Sequence, residues 1–170
     1  ALPNLDGIFK RVRAKHLDIN GLRLKWLPYF IGFISVAPII SSPILTGRMS
    51  GCPLALVTIG GKLHLAHLGT SNDYPDKTRA VKDAWKAAID DGHLVPVRAW
   101  KPSRTFNAAK LGFLTDQQFQ VFGGADRNGT CYSILAKADP GGTRFLQVQA
   151  DRPIEGASCV EGLERTPIPG

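Results

Sequence analysis

Two apolar runs that alternate in character, Leu54-Ala-Leu-Val-Thr-Ile59 and Lys62-Leu-His-Leu-Ala-His-Leu68, are separated by Gly60-Gly61. A two-residue glycine turn suits the twist of paired strands, so this stretch is constrained to a tight β-hairpin. Side chains alternate across a strand. Leu63, Leu65 and His67 therefore share one face of the second strand, and Lys62, His64 and Ala66 share the other. A hairpin needs further strands or a helix to bury its apolar face. The fold class that follows is α+β, an antiparallel β-sheet or sandwich core with one principal helix and short flanking helices.

The rest of the chain supplies those elements. Pro75 and Asp76 suit a first helical turn, Ala80, Val81, Ala84, Trp85, Ala88 and Ile89 form an apolar stripe, and Gly92 sits at a stop, which predicts the principal helix. Leu5, Ile8, Phe9 and Val12 carry the spacing of a short amphipathic helix. Asn20-Gly21 marks a small hairpin between Leu17-Asp-Ile19 and Leu22-Arg-Leu24. The region Trp26–Leu45 is rich in aromatic and β-branched residues and punctuated by prolines, so it reads as extended and largely buried. Strands are expected over Leu94–Trp100, Gln117–Phe122, Cys131–Ala136 and Arg144–Ala150, with a short helix near Thr105–Leu111. The Gly-Gly pairs starting at 60, 123 and 141 read as turns, and the tail from Pro153 as loop. There is no internal repeat or low-complexity tract. At 170 residues the chain reads as a single catalytic-size domain over 1–170, and its abrupt start suggests excision from a larger protein.

Charge narrows the partners. Lys+Arg 21 against Asp+Glu 14 gives +7, but the cations are scattered, with no long run and no aromatic interleaving, which argues against nucleic acid. The apolar stretch Trp26–Ile40 is too short and too broken by Pro28 and Pro38 to cross a bilayer, so no stable membrane insertion is expected. Three cysteines, Cys52, Cys131 and Cys159, leave at least one thiol unpaired, although a Cys131–Cys159 bridge stays open. No zinc-type spacing, nucleotide loop, HExxH or serine elbow appears, so neither metal nor cofactor is expected.

Within Met49-Ser50-Gly51-Cys52-Pro53, Gly51 removes a side chain beside the thiol, and turn N–H groups there can face a developing oxyanion. His67 lies fifteen residues on, across the Gly60-Gly61 turn, so the hairpin returns it towards Cys52. An imidazole on an otherwise apolar strand face needs a polar partner, and a thiol supplies one. A thiolate–imidazolium pair at an open pocket, alkylating readily near neutral pH, is the expectation. The bland alternative is a satisfied core histidine beside a small apolar cysteine.

The segment Ser50-Gly51-Cys52, an apolar strand, a turn, a second strand and His67-Leu-Gly-Thr70 resembles the catalytic segment of the cytotoxic necrotizing factor family of bacterial glutamine deamidases, whose relatives include dermonecrotic toxin and Burkholderia lethal factor. The likeness covers roughly residues 46–70, with Met49 where Leu is usual. It implies Cys52 as nucleophile and His67 as base, with Ser50 and Gly51 shaping the loop. It also implies an orienting group just upstream of the cysteine, either a main-chain carbonyl or a threonine, for which Thr46 is the positional candidate. Shorter relatives place the histidine nearer the cysteine, which keeps His64 as second choice.

The activity implied is deamidation of a protein glutamine, or transglutamination if an amine outcompetes water. The implied setting is a secreted bacterial effector acting in the target-cell cytosol on a host protein such as a GTPase, with a cognate immunity or chaperone protein as a further partner. Two other readings remain open. One is a papain-like or cell-wall cysteine peptidase or amidase, disfavoured because a strand and not a helix follows Cys52. The other is a non-catalytic basic module that docks an acidic protein.

Overall fold

The computed structural model describes residues 7–19, 22–49, 51–105, 119–139, 142–150 and 154–155. Among the described residues two six-stranded sheets stack face to face. The first contains β1 (Phe9–Arg11), β4 (Ile34–Pro38), β7 (Lys62–Leu68), β6 (Leu54–Ile59), β8 (Val95–Trp100) and β12 (Ile154–Glu155), in that spatial order. The second runs β11 (Gly142–Ala150), β10 (Cys131–Asp139), β9 (Phe119–Ala125), β5 (Ile44–Gly47), β3 (Leu22–Trp26) and β2 (Lys15–Ile19). Pairing is antiparallel except for β1 with β4 and β3 with β5. The chain changes sheets between β4 and β5 and again between β5 and β6, so the approach to Cys52 bridges the two layers.

Alternation decides the layers. Ala37, Leu54, Leu56 and Leu65 of the first sheet meet Ile44, Val121, Ala125 and Cys131 of the second in one buried cluster. The other face of the first sheet, with Val36, Ala55, Val57 and Ala66, is covered by α1 (Pro75–Asp90) through Val81, Trp85 and Ala88. Because both faces are covered, β6 is almost wholly buried, whereas α1 keeps one wet side, with Ala80 of the expected stripe exposed. The fold is thus α+β, with an antiparallel core and one principal helix among the described residues. No helix of the described residues is long and apolar enough to cross a membrane.

Several expectations are corrected. Residues Phe9–Arg11 form β1 and not a helix, since pairing with β4 satisfies their backbone and places Ile8 and Phe9 against the α1 layer. The hairpin of β2 and β3 forms as expected, while its Asn20-Gly21 turn lies outside the described residues. The short helix α2 is Pro102–Thr105, earlier than expected, and 106–118 lie outside the described residues. Part of the tail, Ile154–Glu155, pairs with β8.

Gly60-Gly61 is a turn, with φ of +58° and +75°. Gly123-Gly124 is not, because both residues lie inside β9. They are small for packing reasons. A Cβ on Gly123 would stand 2.3 Å from Leu54 Cδ1, and one on Gly124 would stand 2.5 Å from the Ile44 carbonyl oxygen. Gly142 opens β11 opposite Asp139, whereas Gly141, and Cys159 with its proposed bridge, fall outside the described residues.

A backbone oxygen in a ladder cannot retreat as a side chain can. Gly124→Ala should therefore destabilise the protein by about 1–3 kcal/mol in urea unfolding. Gly51→Ala, where a Cβ meets nothing within 4 Å, should leave the midpoint unchanged. Equal midpoints for the two variants would contradict the packing.

Candidate active site

The β6–β7 register brings the two ends of the hairpin together. Leu54 stands opposite His67, the Leu68 N–H donates to the Pro53 carbonyl at 3.1 Å, and the Cys52 thiol donates to the Thr70 carbonyl at 3.2 Å. Cys52 shares the inter-sheet cluster with Leu54 and Leu56. His67 projects from the same side as Leu65, with Leu54 and Ser35 directly opposite on its two neighbouring strands. The facing derived from alternation therefore holds, and Cys52 and His67 both point into the layer between the sheets, Cys52 within the apolar cluster and His67 against Thr46.

The second sheet supplies the group that holds the ring. Thr46, on β5, is completely buried; its hydroxyl donates to the Leu27 carbonyl at 2.9 Å and lies 2.7 Å from His67 Nδ1. A threonine hydroxyl has one proton. Since that proton points to Leu27, Thr46 Oγ1 must accept, and His67 Nδ1–H donates to it. Nδ1 then carries the ring's proton and Nε2 carries a lone pair. Among the described residues Nε2 is buried without a hydrogen-bond partner, as are the Ser35 hydroxyl opposite and the indole nitrogens of Trp85 and Trp100. Buried polar atoms are seldom left unmet, and two of these four, on His67 and Ser35, face each other across β7 and β4.

Electrostatically, both groups rest neutral. Burial alone pushes His67 down to about 3. Burial also pushes the Cys52 thiol up, against the opposing pull of the Thr70 hydrogen bond and of the Lys101 ammonium. Cys52 is 3% exposed and His67 fully buried. The expected thiolate–imidazolium pair at an open pocket is therefore corrected. Removal from water destabilises both charges, and in the described state a buried thiol on the Thr70 carbonyl and a buried imidazole on Thr46 are not hydrogen-bonded to each other.

The other candidates are placed as follows. Gly51 is exposed, with open space where a side chain would stand. Ser50 lies outside the described residues. His64 points to the opposite face of β7, its Nδ1 on the Lys62 carbonyl at 2.8 Å; burial, with the charges of Arg11 and Lys62, pushes its pKa down against the opposing pull of that hydrogen bond. It lines an open cleft of about 840 Å³ with Arg11, Ile40 and Lys62. A second cleft, of about 500 Å³, lies at the start of α1 between Ser71, Thr78 and Arg79. Neither takes in Cys52 or His67. β6 begins two residues after Cys52, so the thiol does not open a helix.

Two neighbours carry no signal in the sequence. Tyr29 stacks on His67 with ring centroids 4.1 Å apart and planes at 15°. Ser35 reaches His67 only through the order of the strands. Comparisons with protein-family models, with curated proteins and with solved structures return no match.

Because His67 is held neutral, its contribution to stability is intact above about pH 6.5 and is lost as pH falls towards 3, where the unfolded chain takes the proton first. One such proton changes stability by at most about 1.4 kcal/mol per pH unit. Between about pH 7 and 4.5, the parent should lose about 2 kcal/mol more than His67→Gln in urea unfolding. Equal losses would show that His67 is not buried neutral.

Proposed function

We propose that this chain is a cysteine-dependent protein-glutamine deamidase, with Cys52 as nucleophile and His67 as general base. The observation that carries the reading is the hydrogen-bond chain from His67 Nδ1–H to Thr46 to the Leu27 carbonyl. It fixes the proton on Nδ1 and leaves Nε2 with a bare lone pair, available as a base in the layer between the sheets that also encloses Cys52. A buried Nε2 without a partner costs roughly 1–3 kcal/mol. A working base needs that lone pair. The segment likeness around Ser50-Gly51-Cys52 and His67 supplies the glutamine side chain as substrate.

In this mechanism Nε2 takes the thiol proton as the substrate displaces the Thr70 contact, and the thiolate attacks the carboxamide carbon. Backbone N–H groups around Cys52 would hold the oxyanion; Pro53 has none to give. The carbon–nitrogen bond then breaks, and ammonia leaves with the proton from Nε2. Water, deprotonated by His67, attacks the thioester carbon, which leaves glutamate and restores the thiol. A primary amine in place of water gives the transglutaminated product. The imidazolium formed in between is not stable alone at this depth, so Thr46 in front and the Tyr29 ring face matter most at that moment. The +7 chain suits an acidic protein surface. A host protein such as a GTPase, reached by a secreted effector, and an immunity or chaperone protein that covers the site are the partners that go with this reading.

Target-cell extract treated with the protein should contain a glutamine peptide heavier by about one dalton, as NH2 is replaced by OH. Cys52→Ala and His67→Ala should each lower that conversion about a thousandfold or more, with the fold retained. Thr46→Val should lower it about 10–100-fold, and Thr46→Ser should restore most of it. Undiminished conversion by Cys52→Ala would end the reading.

A further inference from the structure

The closed state raises the question of what closes it. Tyr29 lies in the connection between β3 and β4, half-buried, with its ring flat on the imidazole of a fully buried His67. Its phenol donates to the Arg48 carbonyl at 3.3 Å, long for an O–H to O contact. Arg48 is four residues before Cys52, on the segment that carries the thiol across from β5. One side chain thus touches the base through its ring and the nucleophile's own segment through its hydroxyl. The phenol also lies within reach of charge on Cys52, since a thiolate there pushes Tyr29 up in addition to the effect of burial.

We propose that Tyr29 is the positioning residue and the latch of this site: its ring holds the His67 plane, and its weak bond to the Arg48 carbonyl keeps Cys52 shut off until an occupant displaces it. For its functional meaning the proposal rests on the cysteine–histidine reading above; for its readout it does not. The long hydroxyl contact is cheap to break, whereas the parallel ring contact is worth keeping, because a flat aromatic face stabilises an imidazolium. The two contacts therefore separate by mutation. Tyr29→Phe removes the latch and keeps the stack, and Tyr29→Ala removes both.

The test measures alkylation of Cys52 by iodoacetamide at about pH 8, followed by peptide mass spectrometry. In parallel, ammonia release is measured from the model glutamine dipeptide carbobenzoxy-glutaminyl-glycine and glutamine conversion in target-cell extract. Tyr29→Phe should alkylate about threefold faster than the parent, the value of one weak neutral hydrogen bond, and should convert glutamine faster than Tyr29→Ala. Tyr29→Ala should alkylate about tenfold faster, while its conversion falls about tenfold or more. Faster thiol and slower chemistry in one variant, with the chemistry rescued by Phe, is a split that simple loosening does not produce. Alkylation changed by less than about twofold in both variants overturns the proposal. So does faster alkylation accompanied by faster amide exchange throughout β6 and β7, which would mark general opening of the fold. If the alkylation pattern appears but Cys52→Ala still converts glutamine, the latch stands and the deamidase reading alone fails.

Discussion

The site depends on a single donated proton. His67 comes from one sheet and Thr46 from the other, and the 2.7 Å contact between them forms only when the sandwich is closed. Thr46 can accept because its own proton is committed to the Leu27 carbonyl, and Leu27 is itself tied in by its N–H to the Leu45 carbonyl at 2.8 Å. Packing of Leu54, Leu56, Leu65, Ile44 and Val121 between the layers thus fixes the tautomer of an imidazole. Without that packing the ring would turn to whichever neighbour could satisfy it.

Burial sets the energetics in the same stroke. Where a charge-paired cysteine and histidine would need solvent or close counter-charges, these two are kept neutral by removal from water. On the proposed reading, charge would appear on the two groups only as the reaction proceeds, in a low-dielectric space where a hydroxyl, an aromatic face and the nearby Lys101 ammonium act strongly. The proposed nucleophile would then rest poorly accessible and protected until a substrate displaces what covers it.

How far the sequence foretells this depends on whether the signal is local. The β6–β7 hairpin and the facing of His67 are legible because a period of two and a Gly-Gly turn fix register without help from the rest of the chain. The principal helix is legible through Pro75, the Val81–Trp85–Ala88 stripe and Gly92. Phe9–Arg11 misleads because Ile8, Phe9 and Val12 fit a helical spacing, yet three residues of parallel pairing with β4 win in the folded state. Gly123-Gly124 looks like a turn because close packing and tight turning both demand glycine. Thr46 is suggested by its place in the segment likeness, but its contact with His67 depends on sheet stacking. Tyr29 and Ser35 depend on β4 lying beside β7, which no local pattern encodes. The closed state of Cys52 is likewise a tertiary fact.

The central claim is that the His67 proton sits on Nδ1, facing Thr46, with Nε2 bare. Nitrogen NMR of the protein labelled at histidine measures this directly, because protonated and bare ring nitrogens resonate far apart. One His67 nitrogen is expected in each state, with Nδ1 protonated and no titration until the pH approaches about 3. A protonated Nε2 above neutral pH, or titration at the ordinary value of about 6.5, would contradict it.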